Sequence, residues 1–279
     1  MKKVKCIIDK KNNVKFIDSF NTVKEKTMIK KKITQMLIVG LTTLFATNGI
    51  FAQSKVIEVD SFNEIIISPH IEVIFKKGAK ESVEINELKL PMEKFNIEVK
   101  KNILHIFLEG AKISTETKKV VKNGEKIKVP IYQGTQAKIT VTYKDVETYS
   151  LRGEEKIVFE DALEKDKLKF NIYGESKIYI KDANINDFKI AIYGESYLEI
   201  LKGIIKEQNI SAYGGSSINM LGVSNETTKI TAYGDGDYKF NISSLLKVTA
   251  YGDVNVSYKG NPTLKKGLII GDAIIKMIN

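Results

Sequence analysis

Tyr173, Tyr193, Tyr213, Tyr233 and Tyr251 each stand immediately before a glycine, and an acid follows that glycine in Glu175, Glu195, Asp235 and Asp253. Flanking copies place Glu154 after Gly153 and Asp272 after Gly271, while Gly215 takes the acid's place between them. Lys169, Lys189, Lys229 and Lys247 each lie four residues before a tyrosine. A phenol ring combines an apolar body with a polar edge, which suits a sugar ring, and an ammonium adds three hydrogen-bond donors. The five tyrosines with Lys189 and Lys229 are therefore the candidate ligand-contacting residues, and a glycan is the candidate ligand. The competing reading is structural: identical side chains at one repeat position stack and stiffen the sheet. Carboxylates at a repeated position could gather a cation. A calcium or magnesium site needs several converging oxygens, though, and nothing here matches a calcium-solenoid or EF-hand loop, so no metal or other cofactor is expected.

Catalytic signals are sparse. The histidines are His70, in a turn after Ser68-Pro69, and His105, on an alternating strand; both read as rim or surface residues. No nucleophile elbow, zincin helix or phosphate loop is present. The expected function is a non-catalytic, adhesin-like binding protein that contacts glycans. Two alternatives stand beside it: a carbohydrate-active lyase or hydrolase using acids on one face, and a structural envelope protein with no ligand.

These residues need a scaffold that repeats with them. From Gly153 the glycines step by 21, 20, 20, 20, 18 and 19 residues, the mark of a stacked-repeat architecture. Before each glycine the apolar residues alternate: Leu168, Phe170 and Ile172, then Phe188, Ile190 and Ile192. After it come Ile178 with Ile180, and Leu198 with Ile200. Two strands per period joined by a glycine bend predict an all-β, parallel β-solenoid with coils of about 20 residues. The tyrosine, one residue past the inward Ile or Ala, then faces outward. Residues 54–108 read as strands, with Phe95–Val99 and Ile103–Leu108 forming a hairpin. The stretch 110–135 reads as an inserted basic hairpin turning at Asn123-Gly124 and projecting from the body.

The formal charge of +10 is concentrated at the front. Residues 1–52 carry eleven lysines and three acids, whereas 53–279 hold 33 basic and 31 acidic residues, with Arg152 the sole arginine. A nearly neutral body with one arginine argues against a nucleic-acid partner. Met28-Ile29-Lys30-Lys31-Lys32, the apolar Met36–Phe45 and the small residue Ala52 predict a cleaved signal peptide over 28–52, with 1–27 an upstream extension and Met28 the start. The exported chain, 53–279, would be a single domain with its regular repeats over 151–279 and no transmembrane segment. Cys6 lies ahead of the cleavage point, so no disulfide is expected.

Several phrases resemble the head GIN domain family of exported envelope proteins: Phe62-Asn63-Glu64-Ile65, Ile71-Glu72-Val73-Ile74-Phe75 before Lys77-Gly78, Val129-Pro130-Ile131-Tyr132-Gln133-Gly134, Leu151-Arg152-Gly153-Glu154-Glu155 and the Ile-Tyr-Gly-Glu-Ser repeats. The resemblance spans residues 56–277. It implies a right-handed β-helix-like fold, an adhesin-like role, and a place in the periplasm, at the cell surface or outside the cell, with no catalytic residues. The family's Gly-Ile-Asn triplet falls at His70-Ile71-Glu72, where the glycine and the asparagine are both replaced.

Overall fold

The computed structural model describes residues 55–122 and 124–279; the expected extension 1–27, the expected signal peptide 28–52, Cys6 and Asn123 lie outside the described residues. The expected parallel β-solenoid is present, with about six turns spaced about 20 residues apart. Period-2 alternation decides the burial: Leu168, Phe170 and Ile172 are buried while Lys169 is exposed, and the next coil repeats the pattern with Phe188, Ile190 and Ile192.

Each regular coil has a short strand after the glycine and a long one before the next. The short strands are β11 (Lys156–Phe159), β13 (Lys177–Ile180) and β15 (Tyr197–Ile200); the long ones are β12 (Leu163–Gly174), β14 (Ala183–Gly194) and β16 (Gly203–Tyr213). Like stacks on like, in parallel: Ile172 pairs with Ile192 and Ile192 with Ala212. The long strands carry a third corner that the sequence pattern did not predict. Pairing lapses at Asp166 and Asn186, whose side chains hydrogen-bond at 2.8 Å. Further on, short and long segments merge in β17 (Ser217–Tyr233) and β18 (Gly236–Tyr251), before β19 (Val254–Lys259), β20 (Thr263–Ile270) and β21 (Ala273–Met277).

The glycine bend has a direct steric cause. Gly194 has φ 125°, and a Cβ there would lie 2.3 Å from the Gly174 carbonyl oxygen of the coil beneath. The serine that follows two residues later ties the bend down: the Ser196 hydroxyl donates to the Gly174 carbonyl at 2.9 Å and accepts the Ser176 N–H at 3.1 Å. Ser176, Ser196 and Ser216 are all buried, forming a polar seam inside an otherwise apolar core.

Toward the N-terminal end, β2 (Glu64–Ile67) and β3 (Ile71–Lys77) continue the two stacks in parallel below β10 (Thr148–Gly153) and β11. One more parallel rung follows, Ile103–Leu108 on β2 and Ala137–Tyr143 on β3, and antiparallel strands then close that end. The predicted hairpin is formed by β5 (Phe95–Lys100) and β6 (Ile103–Leu108), turning through Lys101 and Asn102 at positive φ. β4 (Ser82–Leu88) runs antiparallel to both β1 (Lys55–Glu58) and β9 (Ala137–Tyr143). The inserted hairpin is also formed: β7 (Thr117–Lys122) pairs only with β8 (Glu125–Pro130), as a separate, largely exposed two-stranded ribbon.

Candidate functional site

The parallel register brings the predicted tyrosines into one column: Arg152, Tyr173, Tyr193, Tyr213, Tyr233, Tyr251 and Ile270 sit on successive rungs. Successive rings stack nearly parallel. The centroid distances are 5.2, 4.8, 4.8 and 4.7 Å, with interplanar angles of 7°, 1°, 2° and 3°. Arg152 continues the column, its guanidinium carbon 4.4 Å from the Tyr173 centroid. The tyrosines face outward as predicted, with Tyr193, Tyr213 and Tyr233 exposed at 43%, 38% and 39%. Their faces are covered by one another, however, so solvent meets mainly the ring edges and hydroxyls. A sugar has no free ring face to stack on along this column; it has a rail of phenol hydroxyls.

Lys169, Lys189, Lys229 and Lys247 also align, with Asn209 filling the missing rung and Lys265 extending the row. None of these four lysines forms an ion pair among the described residues. Between the lysine and tyrosine columns run Asn171, Ala191, Ser211, Thr231 and Thr249, all half-buried. Two residues of strand separate each wall from this floor, about 7 Å on each side. Short side chains flanked by long ones make a shallow trough parallel to the solenoid axis. Sequence reasoning found its walls and missed its floor, although the run of small and hydroxyl residues two places before each tyrosine was visible.

The acidic column is exposed, and its repulsion is relieved locally. The Asp253 N–H donates to Asp235 Oδ1 at 3.4 Å, and the Asp272 N–H donates to Asp253 Oδ1 at 3.3 Å. Among the described residues no group of three or more His, Cys, Asp or Glu is arranged to hold a metal ion.

A second feature lies where the tyrosine column meets the N-terminal coils. His70, Ile113, Thr115, Arg152, Glu155 and Tyr173 help line a cleft of about 300 Å³. His70 has φ 71°, a left-handed conformation that glycine adopts freely and a residue with a Cβ adopts rarely. Its ring is held at both nitrogens. Nδ1 lies 2.9 Å from the Gly134 carbonyl, which can only accept, so Nδ1 carries a proton; Nε2 lies 2.7 Å from Thr115 Oγ1. His70 is therefore not a solvated rim residue but a clamped one, with its side chain 14% exposed. His105 is clamped too. Ser68 Oγ donates to the Lys112 carbonyl at 2.7 Å, leaving its lone pairs for His105 Nε2–H at 3.0 Å. Burial, reinforced by the Lys112 charge, pushes the His105 imidazole below its ordinary range.

A β-solenoid with stacked side-chain columns and an open lateral trough presents an extended surface along its axis. The profile of the family described as "Putative auto-transporter adhesin, head GIN domain" matches residues 61–262, and the chain belongs to that family. No curated protein matches the chain in sequence. Solved structures share the fold. A "putative adhesin" from Bacteroides fragilis is 19% identical with a TM-score of 0.64, and one from Parabacteroides merdae is 17% identical at 0.58. A "putative lipid binding protein" from Parabacteroides distasonis is 14% identical at 0.52. In each case 81% of this chain and 96% of the other are covered. Among the described residues no helix is long and apolar enough to cross a membrane.

Proposed function

We propose that this protein is an exported, adhesin-like binding protein of the cell envelope that holds an extended glycan in the trough between its tyrosine and lysine columns. The observation that carries this reading is the trough itself: five rungs of short floor residues between a rail of phenol hydroxyls and a row of lysines. Hydroxyl-bearing sugars both donate and accept hydrogen bonds, which matches phenols and ammonium groups at rung spacing. The family's adhesin description and those of two solved relatives agree with binding rather than turnover. The signal-peptide pattern of 28–52 supports export.

The test is retention of the protein on insoluble cellulose, chitin and mannan, with a glycan array for soluble chains. Lys189→Glu with Lys229→Glu should lower retention at least tenfold, and Ser211→Trp, which fills the trough floor, should do the same while the fold survives. Undiminished retention in both variants, or no retention by the native protein on any glycan, would overturn the reading. Release of reducing or unsaturated sugar ends would instead establish the carbohydrate-active alternative.

A further inference from the structure

In the three coils that follow, the second residue after the bend glycine is a buried serine (Ser176, Ser196, Ser216); in the coil of Arg152 it is Glu155. The pairing of Lys156 with Lys177 places Glu155 in register with Ser176, at an inward position. Its side chain is only 5% exposed. A buried carboxylate requires a cation or several N–H donors to offset its lost hydration. Glu155 has little of either. Oε2 accepts the Glu154 N–H at 3.0 Å. Oε1 lies 3.8 Å from His70 Nδ1, beyond hydrogen-bond reach, and that nitrogen already donates to the Gly134 carbonyl. The Arg152 guanidinium lies over the Tyr173 ring. Glu155 Oε1 is thus without a hydrogen-bond donor among the described residues, yet it is not sealed from solvent, and Glu155 lines the cleft.

The rest of the cleft adds to this. His70 is held at φ 71°, a strained conformation for a residue with a Cβ, and its ring hydrogen bonds to Gly134 and Thr115 fix it in the cleft wall. Arg152 is the only arginine in the chain, and it lines the same cleft. Ile113, 69% exposed, supplies an apolar wall. Glu154 and Glu175 join Glu155 in the lining against the single guanidinium, so an anionic ligand would be repelled.

We infer that this cleft is a second binding site, which takes the terminal residue of a neutral glycan, with vicinal hydroxyls donating to Glu155 and accepting from Arg152 while a sugar face rests on Ile113. The inference rests on the glycan reading of the trough, because the cleft adjoins Tyr173 at the head of the tyrosine column. It adds end recognition to lateral binding.

The chain contains two histidines, His70 in the cleft and His105 outside its lining, so imidazole NMR signals report the site directly. Methyl glycosides of glucose, galactose, mannose and N-acetylglucosamine are titrated into the whole protein. The expected result is a saturable shift of the His70 signals by at least one of them at millimolar concentration, with His105 unmoved. Glu155→Ser installs the residue that the next coils carry, so it should fold, and it should weaken that binding at least tenfold. Arg152→Tyr, which extends the tyrosine column, should weaken it as well. Saturable binding that survives Glu155→Ser unchanged overturns the inference, as does the absence of any saturable His70 shift. Failure of the trough is read separately: loss of polymer retention with the methyl glycoside still binding sinks the lateral site alone, and retention without glycoside binding sinks the cleft alone.

Discussion

Tyr193 and Tyr213 stack with their ring centroids 4.8 Å apart and their planes 1° from parallel, although neither was placed there by packing inside the core. The spacing is that of neighbouring strands. It exceeds the contact distance of two carbon surfaces, so parallel rings at this separation must slip past one another into an offset stack, the arrangement aromatic quadrupoles favour. Sheet geometry thus selects the aromatic geometry, and an exposed column of phenols becomes a stiff rail.

Truncating the rail should therefore cost stability, and trimming only its hydroxyls should not. Tyr213→Ala breaks two stacks at about 0.5–1.5 kcal/mol each, so a loss of about 1–3 kcal/mol is expected in urea denaturation. Tyr213→Phe keeps both stacks and should stay within about 0.5 kcal/mol of the native protein. If Phe proves as costly as Ala, the hydroxyl rather than the ring carries the contribution. If Phe keeps full stability but lowers glycan retention, the hydroxyl rail is the contact surface.

Adjacent glycines should respond in opposite directions. Gly214 has φ 109°, and a Cβ there would lie 2.8 Å from the Gly194 carbonyl oxygen. Gly215 is not at positive φ, and its Cβ would meet Glu195 Cγ at an ordinary 3.5 Å. Gly214→Ala should destabilise by about 1–3 kcal/mol. Gly215→Ala should be neutral or stabilise by about 0.4–1 kcal/mol, because it restricts only the unfolded chain. Thermal melts of the two variants decide the matter, and equal losses would mean that the close packing of successive bends is not what requires the glycine.

Most of the fold was legible because a solenoid writes its periodicity twice, in the glycine spacing and in the alternation of Phe170 with Ile172 or Ile190 with Ile192. The corner at Asp166 and Asn186 was not, since it is made by polar residues with no apolar period to interrupt. Of the site, the columns were legible from spacing alone. The stacking of the tyrosines was legible too, as the structural reading of a repeated position; that it leaves mainly ring edges and hydroxyls to solvent depends on the rise between coils rather than on residue type. The cleft was hidden for another reason: His70, Thr115 and Glu155 lie far apart in sequence and meet through the inserted segment. The one signal available was Glu155 standing where the next three coils carry serine.

Stability should fall in two separate steps on acidification. His105 is held below its ordinary value of 6.5, first by burial and then by the Lys112 charge. Between that value and the depressed one, the unfolded chain binds a proton that the folded chain refuses, so stability is full above about pH 6.5 and declines as the pH falls through this window. Glu81 acts lower. Its hydrogen bond from Lys144, at 2.9 Å, holds it below 4.5, so its contribution is present above that value and disappears as the pH drops beneath it. His105→Gln should flatten the upper step and leave the lower one. Melting curves from pH 8 to pH 3 that show no difference between the native protein and His105→Gln around pH 6 would exclude His105 as the source.

The buried serine seam offers the sharpest check on what fastens the coils together. Ser196 is fully buried, and its hydroxyl serves two coils at once, donating to the Gly174 carbonyl and accepting the Ser176 N–H. Ser196→Ala fits the space but leaves the Ser176 N–H without a partner, while the Gly174 carbonyl keeps the Glu195 N–H. Such a group costs about 1–3 kcal/mol in a water-free interior. The variant should lose that much stability, and the Ser176 amide should exchange with deuterium much faster than in the native protein, since its hydrogen bond is the one removed. Unaltered exchange at Ser176 in a destabilised variant would mean that the loss comes from packing. Loss of protection at Ser176 that leaves the Lys177 amide protected would localise the effect to the seam, because Lys177 donates instead to the Glu155 carbonyl.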